Sequence, residues 1–333
     1  MERVLKLYSF NLNKLKIFKN LAGFVNTTFL IVSGKNKFIL RRARKETSLA
    51  HLKLEVAILN YLKIKKFSYT SYVIKTKRAQ FLPKYRGHYY SLQNYVAGET
   101  KASWDDLAKV NLAMLKDLFR VSAEFTKAAR HFKYTISKNN LTLYDKVIKA
   151  RNDFIKLLKD FPPSTGKVWV MANAKEINQF IENNIKEFKK VDWTHFPKQL
   201  VHLDLHPGNV HYKGNRVVGL FDFDWIQFDC RITDIGATIC QACYFYGGPK
   251  AGIYRKDRIQ AGLKIYRQTF GRSEFSLKEE NELIKIALKG NVIFQLVFII
   301  QEYLSNLNSK RHLVAVDQFI KIVKRNNFDE LFI

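Results

Sequence analysis

An α+β fold, with a small antiparallel-sheet lobe at the amino terminus and a large helical lobe after it, is what the sequence predicts. Short β-branched and apolar runs, separated by tight turns, crowd the first 96 residues. Stretches with apolar residues at helical spacing fill the remainder. At 333 residues the chain is long enough to bury sizeable cores in one or two bodies. We place the first lobe at residues 1–96 and the second at 97–333.

The elements follow in order. Thr27 to Val32 reads as a strand, Ser33-Gly34-Lys35-Asn36-Lys37 as a turn, and Phe38 to Arg42 as the returning strand. Leu49, Leu52, Val56, Leu59 and Leu62 then mark a helix, with Glu55 set among them. A weak strand at Ser71–Thr76 and a loop around Pro83 and Gly87 lead to a strand from Tyr89 to Val96. Beyond it, helical periodicity covers residues 106–131, 142–160, 173–190, 232–246, 257–270, 277–307 and 311–324. A hairpin interrupts them, with Val210-His211-Tyr212 running out, Lys213-Gly214-Asn215 turning, and Arg216 to Phe221 returning. No internal repeat or low-complexity tract is visible.

Composition bounds the function. Lys and Arg number 57 against 29 Asp and Glu, a formal charge of +28. Residues 1–100 hold 20 basic and 4 acidic residues, so 20 − 4 = +16 of that charge sits there. Such a surface can steer anionic ligands, or it can simply be well solvated. The basic residues are scattered, and neither a stacking platform nor a nucleic-acid motif accompanies them. A polycationic ligand would need an acidic pocket, and this chain has few carboxylates to spare. The most apolar window, Val292 to Ile300, is too short to span a bilayer, which takes about 20 residues. Met1-Glu2-Arg3 does not open a secretory signal. Cys230, Cys240 and Cys243 lack metal-ligand spacing, and a reducing cytoplasm is their simplest home.

The chemistry concentrates in Val201-His202-Leu203-Asp204-Leu205-His206-Pro207-Gly208-Asn209, followed by Leu220-Phe221-Asp222-Phe223-Asp224. In-line transfer of a γ-phosphate needs a carboxylate to orient the attacking hydroxyl and hard oxygen ligands to hold Mg²⁺. Asp204 suits the first task; Asn209 and Asp222 suit the second. The hairpin is expected to bring Asn209 and Asp222 to the same end of two paired strands. The plain alternative is a buried polar loop with a capping Asp and a turn Asn.

This ordered set, H-x-D-x-x-x-x-N and then an Asp after an apolar strand, resembles the catalytic core of the aminoglycoside phosphotransferase and choline kinase superfamily. It is most similar to the homoserine-kinase-like and spore-coat kinase-like branches. The resemblance implies a protein-kinase-like two-lobe fold and an ATP- and Mg²⁺-dependent phosphotransferase acting on a small-molecule hydroxyl. It implies Asp204 as catalytic base, Asn209 and Asp222 as magnesium ligands, and His202 as a brace for the loop. Asp229-Cys-Arg-Ile-Thr-Asp234-Ile-Gly resembles a further family segment, in which Asp234 would hydrogen-bond catalytic-loop amides. Gly23 to Thr28, including Asn26, would form the loop over the phosphates, although a lone glycine also fits a simple turn. Arg41 stands where kinases carry a lysine for the α- and β-phosphates, a change that alters reach and geometry. Glu55 would be its partner, since an acid among apolar residues needs a cation; a solvated place on the helix flank is the alternative. Gln93 and Tyr95 lie in the segment that would contact adenine through its backbone, though an exposed edge strand reads the same way. Asp224 and Asp229 are expected toward the acceptor; Trp225, Phe228 and Tyr244 would wall it or, as the plainer alternative, pack in the core. His206 would donate to phosphate or cap the loop.

Two other readings stand beside the kinase. One is a kinase-like structural or binding protein without turnover, which Arg41 invites. The other is a nucleic-acid-associated protein using the basic amino-terminal lobe.

Overall fold

The computed structural model describes residues 1–10, 15–20, 27–100, 109–134, 141–160, 170–305 and 309–332. Their contacts separate into two compact units. The first gathers the described residues of Met1–Gly98, Phe132–Ser137 and Val218–Asp224, and the second those of Glu99–His131, Lys138–Val217 and Trp225–Ile333.

The first unit is built on an antiparallel sheet. Its strands are β1 (Leu15–Asn20), β2 (Thr27–Ser33), β3 (Asn36–Arg42), β4 (Val73–Ile74), β5 (Lys84–Tyr85) and β6 (His88–Asn94). They run in the order β1-β2-β3-β6-β4, with β5 on β6. Ser33 pairs with Asn36 to close the β2–β3 turn, and Gly34 supplies its left-handed residue at φ 59°. Ile31 and Leu40 point from these strands into a core with Val4, Leu5, Tyr8, Tyr90 and Leu92. The Leu49–Ile64 helix begins at Ser48, whose hydroxyl accepts the His51 N–H at 3.2 Å. It buries Leu52, Val56, Ile58, Leu59 and Leu62, and with them Glu55.

β4 is shorter than the expected Ser71–Thr76 strand, for a local reason. Tyr72 N–H donates to the Asn94 side chain at 2.7 Å, and Thr76 N–H closes its own turn on Gln80 C=O at 2.8 Å. Side-chain and turn partners thereby replace ladder bonds at both ends. β1 was not anticipated. Its Ile17 and Phe18 remain 36% and 52% exposed, so the alternation that marks a half-buried strand is missing.

Helices dominate the second unit. The described ones are Leu112–Ala129, Leu143–Asp160, Ala174–Lys189, Arg231–Ala242, Lys256–Phe270, Leu277–Ser305 and Lys310–Arg325, within a few residues of most of the periodic stretches. Leu277–Ser305 is apolar and long enough to cross a bilayer by composition alone, with mean hydropathy 1.9 in its best window. Two thirds of that window (67%) is buried inside the protein, as befits a central core helix. It packs on Arg231–Ala242, where Gly236 permits close approach: a Cβ there would meet the Ala287 and Leu288 backbone at 2.8 Å. Arg231 fixes the start of that helix, donating to Glu274 and Glu280, each at 2.9 Å. A short antiparallel pair, Lys198–Val201 with Gln227–Cys230, completes the scaffold. The three cysteines are buried and free.

Candidate active site

Strand Lys198–Val201 ends at His202, and the chain then turns through the candidate catalytic loop in the second unit. His202 is fully buried, with its ring edge-on to Phe125, and its Nδ1 accepts the Asp204 N–H at 3.3 Å. Leu203 adopts φ 60°, a left-handed conformation that costs a residue with a Cβ about 1–2 kcal/mol. Asp234 holds it there. Its Oδ1 accepts the N–H groups of both His202 (3.1 Å) and Leu203 (2.7 Å) from the first turn of the Arg231–Ala242 helix. Burial pushes the Asp234 pKa up to about 6, and the two accepted hydrogen bonds oppose that rise.

The loop then fixes its own functional groups. His206 Nδ1 accepts the Gly208 N–H at 3.0 Å, and the Asn209 N–H donates to His206 C=O at 2.9 Å. Burial, with His202 nearby, drives the His206 pKa down to about 3. Through Nδ1 the ring caps the loop, while its Nε2 lies 3.7 Å from Asp204 Oδ1. Asn209 Nδ2 donates to the Asp204 carbonyl at 2.9 Å and to Asp204 Oδ2 at 2.6 Å. Nearly every residue from Val201 to Val210 is buried, whereas Asp204, Gly208 and Asn209 keep part of their surface open. The Asp204 carboxylate and the Asn209 amide are thus presented by a loop that hides most of the rest of itself.

A second cluster lies in the first unit. Arg41 on β3 forms an ion pair with Glu55 from the Leu49–Ile64 helix, so the buried acid has its cation. Arg41 NH2 also donates to Asp224 Oδ1 at 2.9 Å. His51 Nε2 lies 3.9 Å from the same oxygen. Burial works against the Arg41 charge, yet Glu55, Asp224 and Asp222 outweigh it and raise its pKa. Burial pushes Glu55 up while Arg41 pulls it back. Asp224 stays below its usual range because His51 and Arg41 overcome its desolvation. Asp224, expected toward the acceptor, thus gives Oδ1 to Arg41.

Asp222 stands at φ 63° just before the Phe223–Trp225 turn. It keeps an exposed face, but protein crowds its other sides; that desolvation, then the Asp224 charge, raises its pKa to about 6. Between pH 3.8 and about 6 the native state therefore binds protons at Asp222 that the unfolded state releases. Stability contributed by this group is greatest below pH 3.8 and is lost as pH rises through about 6. Asp222→Asn is expected to flatten the fall in metal-free stability across that window, read from denaturant midpoints at several pH values. An unchanged slope would contradict the raised pKa.

The remaining candidates separate. Gln93 sits inside the sheet, opposite Ile39 on one side and Val73 on the other. Its Oε1 accepts the Ser71 hydroxyl at 2.7 Å. The Tyr95 N–H donates to Lys37 C=O at 3.3 Å. Gly23 and Asn26 lie outside the described residues. In the second unit, Asp229 is buried, accepting from Leu143 N–H (2.6 Å), Cys230 N–H (2.8 Å) and Gln227 Nε2 (3.1 Å). Tyr244 is core, packed edge-on to Tyr254. Trp225 is part-exposed and meets Phe294 and Phe298 edge-on. The sequence reading missed His51, the Arg41–Asp224 pair and Lys146 beside Trp225. The spacing of residues 41 and 224 carries no local signal, and one lysine among so many does not stand out.

A family model described as the phosphotransferase enzyme family matches residues 18–274. A solved amicoumacin kinase in complex with AMP-PNP, Ca²⁺ and its ligand aligns with TM-score 0.68 and 16% identity, covering 99% of this chain and 96% of that one. A microcompartment-associated aminopropanol kinase aligns with TM-score 0.62 and 14% identity, over 97% of this chain and 94% of that one. A homoserine kinase from Zymomonas mobilis subsp. mobilis is 28% identical over 94 residues, 28% of this chain. The match spans 27% of that relative's length. The structural likenesses establish an α+β, protein-kinase-like fold.

Proposed function

Because the chain belongs to the phosphotransferase enzyme family, matched over residues 18–274, we propose that it is an ATP- and magnesium-dependent kinase acting on the hydroxyl group of a small molecule. The acceptor we favour is an amino alcohol, an amino acid or a sugar-like compound. The observation that carries this reading is the loop on which Asp204 and Asn209 remain accessible while their supports are buried. Asp204 would orient the acceptor hydroxyl and take its proton; general-base assistance of this kind is worth about 10²–10⁴ in rate.

Asn209 and Asp222 fit the magnesium the reading requires. Asn209 commits its amide nitrogen to Asp204, leaving Oδ1 as a hard oxygen donor. Asp222 is a crowded carboxylate beside a second carboxylate, a setting that favours a cation. Magnesium, when bound, would neutralise phosphate charge and help place the terminal phosphoryl group. Arg41, oriented by Glu55, would meet the phosphates from β3, and the segment of Gly23 and Asn26 would cover them with backbone N–H groups. Gln93 and Tyr95 would mark the adenine-contacting segment. This reading assigns residues 1–96 to the nucleotide and 97–333 to catalysis and the acceptor.

The test is transfer from ATP to a panel of amino alcohols, hydroxy amino acids and sugars, followed as phosphorylated product. Magnesium-dependent product with at least one class is expected; none across the panel would defeat the proposal. A second reading, a kinase-like structural or binding protein without turnover, draws on the Arg41 fork being shared between Glu55 and Asp224. A melting temperature unmoved by saturating Mg-ATP would favour it.

A further inference from the structure

Lys146 has an unusual position. It sits on the Leu143–Asp160 helix in the same unit as Asp204, partly withdrawn from water. Its Nζ lies 5.1 Å from the Phe294 ring centre and 5.6 Å from that of Trp225. Among the described residues its ammonium makes neither a hydrogen bond nor an ion pair within 4 Å. Desolvation lowers its pKa to about 8, while the charges of Asp229 and then Asp204 support the protonated form. At neutral pH it is therefore mainly an ammonium ion with three donors to place.

The obvious explanation is that Lys146 neutralises Asp229. The hydrogen bonds argue otherwise. Asp229 already accepts three N–H groups, one on Oδ1 and two on Oδ2. Asp204 takes its own donor from Asn209. The ammonium is felt by both carboxylates and bonded to neither. Around it, Trp225, Phe294 and Phe298 stay part-exposed, an aromatic wall that the core leaves uncovered. A half-desolvated cation without a hydrogen-bond partner is costly unless a ligand supplies one. An anionic group would do so with charge-assisted hydrogen bonds, while its apolar part lies along the rings.

We infer that Lys146 is the acceptor-recognition residue of this chain, binding a carboxylate on the hydroxyl compound while Trp225 and Phe294 hold its carbon skeleton. The inference rests on the kinase reading for its hydroxyl chemistry, but the binding claim stands apart from turnover. It sets the acceptor class against polycations, which Lys146 would repel, and against neutral sugars, which would leave the ammonium unpaired.

Matched pairs that differ by one carboxylate test it: homoserine against 3-aminopropanol, serine against ethanolamine, glycerate against ethylene glycol. Calorimetric binding in the presence of a non-hydrolysable ATP analogue is measured beside steady-state turnover. The carboxylated member of at least one pair is expected to bind at least about tenfold more tightly, a difference near 1.4 kcal/mol. Lys146→Met should erase that preference, with any kinetic loss carried by KM, and Lys146→Arg should keep most of it. A purely structural lysine would weaken both members of a pair alike, which would overturn the inference. So would preference for the uncharged members, or failure of every carboxylated compound to bind at millimolar concentration. Selective binding without product would leave the inference standing while the kinase reading falls; product with the reverse preference would do the opposite.

Discussion

Asp204→Asn is expected to lower kcat by about 10³-fold, within the range general-base catalysis supplies, while leaving the protein folded. The two halves of that expectation have separate grounds. The kinetic half follows from removing the carboxylate proposed to accept the proton, which the loop leaves part-exposed. The structural half follows from what holds the loop. Asp234 grips the His202 and Leu203 amides, and His206 caps Gly208; neither contact uses the Asp204 side chain. The Asp204 N–H bond to His202 is made by backbone and survives the change. The Asn209 Nδ2 bond to Asp204 Oδ2 is at stake, and an asparagine Oδ1 can accept it; His206 Nε2, 3.7 Å from Asp204 Oδ1, faces a neutral group instead of a carboxylate. A loss within about 1 kcal/mol is therefore expected in denaturant titrations. KM for ATP should change little, because the base acts in the transition state rather than in nucleotide binding. Turnover within about threefold of the parent protein would remove Asp204 from the role, on the scale general-base loss sets.

How much of this was legible beforehand depends on the range of each interaction. The helices announced themselves because apolar residues recur at helical spacing over many turns; Leu143–Asp160 and Ala174–Lys189 fall where periodicity put them. The short Lys198–Val201 and Gln227–Cys230 strands did not, since four residues of mixed polarity hold no measurable period. The candidate catalytic loop stood out because its polar residue types follow one another within a few positions. Glu55 was readable for a different reason: an acid on an apolar helix face demands a cation, and the cation proved to be Arg41. The bond of Asp224 to Arg41 was not legible because the two lie 183 residues apart, and neither residue's neighbours hint at the pairing. Lys146 stayed hidden for the same reason, its aromatic company coming from residues 225 and 294. Asp222 shows the limit from the other side. Its identity suggested a metal ligand, but its left-handed backbone and raised pKa follow only from three-dimensional surroundings.

Arg41→Ala is expected to destabilise the protein by about 3–5 kcal/mol at pH 8, the usual consequence of stranding a buried charge. Its side chain is 14% exposed and that of Glu55 is 9% exposed, so water cannot replace the lost guanidinium at either carboxylate. Asp224, 20% exposed, loses its 2.9 Å partner in the same step. The sign of the pH dependence is fixed by Glu55. Burial already pushes its pKa up with Arg41 present, and removing the arginine lifts it further. The variant's native state then takes up a proton as pH falls, so its deficit shrinks toward pH 5 and grows toward pH 8. Arg41→Lys should cost less, because one ammonium can keep Glu55 ionised but cannot fork to Asp224 as well. Adding Glu55→Leu to Arg41→Ala should recover part of the loss, since an apolar side chain removes the stranded carboxylate and fills its space. Denaturant midpoints at pH 5 and pH 8 for the single and double variants decide the matter. A deficit below about 1 kcal/mol at pH 8, typical of an exposed pair, would mean that Arg41 and Glu55 do not form a buried ionic unit. The position would then be open to phosphate binding without any structural cost.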